Sequence, residues 1–195
     1  MNTAVSPPWI GIVLAGGQSS RMGRDKAELP WGGHTLLQQA RAQLIEAGAR
    51  RVVICGRTGD PDALPDVEKG QGPLAALAQL APKLDDGIAV IVPVDMPLLS
   101  AELLQQLAVA DSECAAFDSH PLPMRLQLAA NARRVLAQLS QLPAPQRSLR
   151  ALQRALQTLT LDGAVWQAQL RGCNTQEEWL ALSAHPACPA SDHSK

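Results

Sequence analysis

Residues 14–26 read "LAGGQSSRMGRDK". An apolar run from Ile10 to Leu14 stops at Ala15-Gly16-Gly17, and a polar stretch with Arg21, Arg24, Asp25 and Lys26 follows. A tight glycine turn at a strand end turns backbone N–H groups toward an anion. Arg21 offers a planar fork for phosphate oxygens, and Lys26 a compact point charge. Glycines here are costly in conformational entropy, so the backbone needs their freedom or their missing side chains. Gly16 and Gly17 would also serve a plain strand-to-helix turn. With Arg21 and Lys26 beside them, a bulky anion such as a nucleotide triphosphate is the better occupant. Asp25 is expected to pair with Arg21 or Lys26 and so organise the loop.

A second reactive position follows the run "IAVIVPV". Asp95 ends a stretch apolar on both faces, and a carboxylate there is costly to bury unless paired or metal-bound. Pro97 blocks continuation of the strand ladder, which turns the chain and leaves the carboxylate at the strand end. The P-loop string G-x-x-x-x-G-K-[ST] and the dinucleotide fingerprint G-x-G-x-x-G are both absent. No Ser-His-Asp or Cys-His arrangement stands out, and the four Cys and four His show no metal-ligand spacing. The residues favour chemistry on phosphates without a covalent nucleophile.

Such residues need a sheet to position them. The predicted strands are "WIGIVLA", "RVVICG", "GIAVIVPV", "ECAAFD", "MRLQLA" and "WQAQLRGC". Helical periodicity appears in "TLLQQARAQLIEAG", "PLAALAQLAPKL" and "SAELLQQLAVAD", and later in "NARRVLAQLSQL", "SLRALQRALQTL" and "TQEEWLALSA". In the first helix Leu36, Leu37, Ala40, Leu44 and Ala47 share a face, and Gly48 ends it. Ser100 is an expected N-cap, and Thr175 another, with Glu178 completing a capping box. Alternation of strands and helices predicts a single-domain α/β fold. Its mostly parallel, Rossmann-like sheet is flanked by helices and carries its site at the strands' carboxyl ends. The domain is expected over 9–184, with a flexible N-terminus at 1–8 and a disordered tail at 185–195.

Composition narrows the partners. The 195 residues suffice for one domain with a substantial core. A formal net charge of -1 lacks the footprint of a general nucleic-acid binder, and four Trp, one Phe and no Tyr leave few platforms for base stacking. The longest apolar run falls well short of the roughly 20 residues that cross a bilayer. Cys55, Cys114, Cys173 and Cys188 are scattered, as free thiols in a reducing cytoplasm would be.

The string "LAGGQSSRMGRDK" resembles the signature of the sugar-nucleotide-transferase-like superfamily. More closely it resembles the MobA-like molybdenum cofactor guanylyltransferases, which join GMP to molybdopterin. Three later stretches agree in order. "GQGPLAALAQL" is similar to the family's G-x-G-P-L-A-G-L, with Ala76 where Gly is usual. "VPVDMPLL" matches P-x-D-M-P-L-L. "GCNTQEEW" is similar to N-T-P-E-D/E, with Gln176 in place of Pro. Together they span residues 10 to about 180.

The resemblance implies a nucleotidyltransferase that uses GTP and molybdopterin, needs Mg²⁺ and works in the cytoplasm without nucleic acid or membrane. It implies that the backbone of Leu14, Ala15, Gly16 and Gly17 reads guanine and approaches the ribose. Arg21 and Lys26 would hold the triphosphate, Lys26 nearest the α-phosphate. Asp66 would contact nucleotide, Asp95 would bind magnesium, and Asn174 would stand near the metal or the second substrate. Cys55 or Gly56 occupies the place of a family Asn. Cofactor-insertion proteins or chaperones are implied as partners, and a monomer is the favoured state. Two other readings stay open: a cytidylyltransferase of the same fold, and a non-catalytic nucleotide-binding regulator. L-A-G-G rather than L-A-A-G favours guanine. His120, in "SHPLP", serves either a proline turn or pterin binding, and Asn174 also suits a purely structural place before a helix.

Overall fold

A computed structural model describes residues 7–16, 25–57, 63–64 and 71–183. Gly17, Arg21 and Asp66, the first six residues and the tail from 184 onward lie outside the described residues. The chain runs β1 (Trp9–Leu14), β2 (Pro30–Trp31), β3 (His34–Thr35), α1 (Leu36–Glu46), β4 (Val52–Cys55), β5 (Ala63–Leu64) and α2 (Pro73–Leu80). It continues through β6 (Gly87–Pro93), α3 (Ala101–Ala108), β7 (Cys114–Phe117), β8 (Met124–Leu128) and α4 (Ala130–Ser140). It closes with α5 (Leu149–Ala155), β9 (Leu159–Leu161) and α6 (Gln176–Ser183).

Seven strands form one sheet in the order β5-β4-β1-β6-β8-β7-β9. β1 pairs in parallel with β4 and β6, β4 with β5, and β7 with β9. β8 alone runs antiparallel, between β6 and β7. The mostly parallel α/β architecture read from the sequence is therefore present. Two apolar cores lie on opposite faces of the sheet. One includes Val13, Val90 and Val92 with Leu44 of α1 and Leu103, Leu104 and Leu107 of α3. The other joins Ile12, Ala89 and Ile91 to Leu74, Leu77, Leu136 and Leu152 of α2, α4 and α5. Alternate residues of one strand enter opposite cores, as the period of two in a strand requires. Among the described residues no helix is long and apolar enough to cross a membrane.

Local signals explain the ends of α1. Thr35 Oγ1 accepts from the Gln38 N–H at 3.2 Å, while Gln38 Oε1 accepts from the Thr35 N–H at 2.8 Å. This reciprocal cap satisfies two donors that the helix start would leave open. At the other end Gly48 takes a left-handed φ of 101°, and its N–H bonds to Ile45 O at 2.9 Å. α1 packs close to β1 because Gly11 has no side chain. A Cβ there would stand 2.8 Å from Leu44 Cδ1.

Three sequence expectations fail in whole or in part. "WQAQLRGC" was expected to form a strand, but Ala164–Trp166 is a 3-10 turn and residues 167–174 form no strand. The segment crosses the strand ends and bonds to loops: Gln169 Oε1 accepts from Ser100 N–H at 2.9 Å, and Cys173 N–H donates to Asp95 O at 2.9 Å. The last strand, β9, overlaps the expected helix "SLRALQRALQTL" only at Leu159, and its other two residues fall in no predicted element. That helix stops at Ala155, and Gln157 adopts a φ of 49° before the chain turns into β9 beside β7. In the same way α2 is shorter than its pattern. Pro82 closes it into a 3-10 turn at Ala81–Lys83.

Candidate active site

The adjacent carboxyl ends of β1, β4 and β6 build the site. Leu14 is in register with Cys55 on one side and Pro93 on the other. Beyond the ladder Ala15 N–H donates to Cys55 O at 2.9 Å, and Val94 N–H donates to Leu14 O at 3.2 Å. These bonds carry Ala15 and the exposed Gly16 out between the ends of β4 and β6. The Leu14 side chain is buried in the core, so it is not available to a ligand.

Lys26 enters this crevice from a short 3-10 turn, Lys26–Glu28, anchored by the buried Ala27 and Leu29. Asp25 Oδ1 caps the turn by accepting from the Ala27 N–H at 3.0 Å. Arg57, just past β4, donates through Nη1 to Asp25 Oδ2 at 2.9 Å and through Nη2 to Glu28 Oε1. The loop-organising role expected for Asp25 is present. Its described cationic partner is Arg57, while Arg21, one of the partners expected for it, lies outside the described residues.

Lys26 Nζ lies 3.0 Å from Asp95 Oδ2 and 2.9 Å from Asn174 Oδ1. The contacts join residues 69 and 148 positions apart, so tertiary structure alone assembles them. The Lys26 and Asp95 side chains are each 19% exposed, which keeps the pair reachable from solvent while partly desolvated. Asp95 is held through its backbone: its carbonyl accepts from Cys173 N–H at 2.9 Å and from the Cys173 thiol at 3.4 Å. Beyond it, Pro97 O accepts from Gln43 Nε2 at 2.6 Å and from Gln39 Nε2 at 3.3 Å, both on α1.

Asn174 is presented at the start of α6. Thr175 Oγ1 accepts from Glu178 N–H at 3.1 Å, and Glu178 Oε2 accepts from the N–H groups of Asn174 at 2.7 Å and Thr175 at 3.0 Å. The expected capping box is thus present. These backbone donors hold the Glu178 carboxyl below the ordinary range, since they bond best to its ionised form. Next to Asn174, burial and the Asp95 charge push the Cys173 thiol up to about 11. At neutral pH it is a neutral, weakly nucleophilic group. Among the described residues Cys55, Cys114 and Cys173 are buried and form no disulfide with one another.

His120 stands elsewhere, after β7. Its N–H donates to Phe117 O at 3.2 Å, and its Nδ1 lies 2.8 Å from Asp118 O, which accounts for a turn role. It lines a cavity of about 470 Å³ with Asp118, Arg150 and Arg154, whose lining includes none of Lys26, Asp95 and Asn174. Sequence reasoning missed Gln39, Gln43 and Arg57. Only Gln43 left a signal: it falls on the apolar stripe of Leu36, Ala40, Leu44 and Ala47, where a polar residue is out of place.

The model of the MobA-like NTP transferase domain matches residues 11–160. A protein of Xanthomonas euvesicatoria named molybdenum cofactor guanylyltransferase is 48% identical over 181 residues, covering 90% of this chain and 94% of its own. The chain belongs to the MobA-like NTP transferase family. Solved structures agree on the fold. Molybdopterin-guanine dinucleotide biosynthesis protein A of Archaeoglobus fulgidus superposes with a TM-score of 0.70 at 18% identity, over 89% of this chain and 95% of that one. A nucleotidyl transferase of Methanothermobacter reaches 0.70 at 15% identity, over 90% and 96%. Three of the four motifs noted in the sequence fall largely within the matched family domain, and Asn174 lies beyond it. The 48% relative extends the likeness over most of the chain.

Proposed function

We propose that this protein transfers GMP from GTP to molybdopterin, forming the guanine dinucleotide form of the cofactor and releasing pyrophosphate. The observation that carries the reading is the convergence of Lys26, Asp95 and Asn174 at the carboxyl ends of parallel strands, in a family member 48% identical to a protein named for this activity. In the reaction a phosphate oxygen of the pterin attacks the α-phosphorus. The bond from that phosphorus to the bridging oxygen breaks, and pyrophosphate leaves with the electron pair. The attacker is already an anion, so no strong base is needed, which agrees with a site built from a lysine, a carboxylate and an amide.

The donor set suits magnesium. Asp95 Oδ2 and Asn174 Oδ1 already converge on one cationic nitrogen, at 3.0 and 2.9 Å, so both oxygens face a common cation position. Hard oxygen donors of this kind, few in number and completed by phosphates, are what Mg²⁺ prefers. When bound, the metal would neutralise phosphate charge and align the reactants. Asp95 would hold it, with Asn174 beside it. Lys26 would place its ammonium against the α-phosphate, where negative charge builds in the transition state. Arg21 and Asp66 are proposed as further nucleotide contacts, and the backbone from Leu14 to Gly17 as the guanine reader. Buried cysteines that form no disulfide among the described residues support a cytoplasmic place for the enzyme.

The test is pyrophosphate release with molybdopterin and each of GTP, CTP and ATP in the presence of magnesium. GTP should be preferred by about 10²-fold or more, since a base edge that leaves buried polar groups unpaired is strongly rejected. Equal rates would leave a nucleotidyltransferase and remove the guanylyl assignment. Tight GTP binding without release of pyrophosphate would favour the regulator reading.

A further inference from the structure

Gln43 is a polar residue on the buried face of α1. It is 5% exposed and lies between Ala40, Leu44 and Ala47, each 3% exposed or less. Its amide is only half satisfied. Nε2 donates to Pro97 O at 2.6 Å, while the buried Oε1 has no hydrogen-bond partner among the described residues. A buried, unpaired amide oxygen carries its full desolvation penalty, whereas an apolar side chain of equal size would carry none. Core packing therefore does not explain a glutamine here. The carbonyl it grips does.

Pro97 lies two residues beyond Asp95, in a segment that has left the sheet. β6 ends at Pro93, and the last bond toward β1 is from Val94 N–H to Leu14 O. From there to the cap of α3 the chain depends on isolated contacts. Cys173 holds the Asp95 carbonyl from one side, and Gln43 holds the Pro97 carbonyl from the other. Gln39 adds a second, longer bond to Pro97 O at 3.3 Å. Asp95 is thus bracketed by two anchors, and the shorter comes from a helix that also packs on β1.

We propose that Gln43 is a positioning residue for the reaction. By fixing the Pro97 carbonyl it sets the Asp95–Pro97 turn and so the direction of the Asp95 carboxylate toward Lys26 and the incoming phosphates. It touches no substrate. The inference rests on the transfer reaction proposed for Lys26 and Asp95. A buried unpaired oxygen is retained because the donor on the same amide is needed at the site.

The experiment compares the parent with Gln43→Met, which keeps length and volume but has no donor and no orphaned oxygen. Pro97 O keeps Gln39 as a donor in that variant, so the fold should hold. Its melting temperature should equal or exceed the parent's. Its kcat for pyrophosphate release should fall about tenfold while KM for GTP moves less than about twofold, because misplacement of a reacting group near 1 Å is enough for losses of that order or more. A kcat within twofold of the parent, or a lowered melting temperature with unchanged kcat, overturns the proposal. Crystal structures of both forms read positioning without turnover. In Gln43→Met the Lys26–Asp95 contact should lengthen past about 4 Å, the usual limit of an ion pair. A contact retained at its present 3.0 Å also overturns the proposal. If the parent itself releases no pyrophosphate, the reaction is wrong, and the crystallographic comparison still decides whether Gln43 sets Asp95.

Discussion

Two cations of this protein are withdrawn from water in different ways. Arg125 sits on β8, one residue after its start, at 6% exposure. Its guanidinium bonds to the carbonyls of Ala108 and Ser112 and to Gln127 Oε1, and no carboxylate is among these partners. Burial pulls its pKa below the ordinary arginine value. Lys26, at the strand ends, bonds instead to a carboxylate and a side-chain amide, both at the edge of solvent. Backbone carbonyls cannot leave, so Arg125 is built into the sheet and the end of α3. Side-chain oxygens can exchange one cation for another, so Lys26 and its partners can rearrange around a ligand. A cation held by backbone secures structure, while one held by mobile oxygens is available for chemistry.

Substitutions should separate the two cations cleanly. Lys26→Ala is expected to lower turnover about 10²–10³-fold, the usual cost of removing a charge aimed at a transition state. Its thermal melt should stay near the parent's, because the side chain fills no core cavity. A stable variant with near-normal turnover would reduce Lys26 to a loop cation. Asp95→Asn keeps the shape and removes the charge. It should fold, yet release pyrophosphate slowly across a magnesium titration, with partial rescue at high magnesium. Parent-like rates at low magnesium would remove the metal role.

Arg125→Ala should do the reverse. Loss of a buried side chain that satisfies two carbonyls is expected to cost about 2–4 kcal/mol in denaturant unfolding. Turnover per folded molecule should be unchanged. A large fall in specific activity would blur the contrast between the two sites. Gly11→Ala tests the frame that both share. A Cβ placed 2.8 Å from Leu44 Cδ1 should destabilise by about 1–3 kcal/mol, through displacement of α1 from β1.

The smallest effect concerns Glu178, whose carboxyl is held below its ordinary range by the Asn174 and Thr175 N–H groups. A depressed carboxyl pKa adds stability above its unfolded value, near about 4.3, and that stability is lost as pH falls through the folded value. The start of α6, and with it Asn174, should therefore loosen in acid below about pH 4. Amide exchange at Asn174 and Thr175 in the parent and in Glu178→Gln would show it. A variant with the parent's acid response would exclude Glu178 as the cause.

Much of the site was legible because its signals are local. The end of β1 follows from apolar residues running into glycines, and Asp95 from a carboxylate ending a two-faced apolar strand. Ser100 and Thr175 announce helix starts through bonds that span three residues. Where local pattern was ambiguous, the reading went wrong. "WQAQLRGC" alternates well enough for a strand, but it pairs with no strand among the described residues. Loop groups at Asp95 and Ser100 took its polar atoms instead. β9 escapes the sequence pattern, with only its Leu159 falling in the expected helix before it, because three residues carry too little periodicity to separate helix from strand.

Sequence alone determined the end of the first strand, the central buried strand, most of the helices and the resemblance that leads to a family. Each rests on neighbours within one or two turns, where spacing dictates geometry. Tertiary structure decided the rest. It brought side-chain oxygens of Asp95 and Asn174 within 3.0 Å of Lys26 Nζ, set Arg57 on the residues flanking Lys26, and placed Gln43 on Pro97. No local rule links these residues, because the bonds form only once separate strands and helices share one sheet. Their chemistry was written in the chain, and the packing of the sheet made them partners.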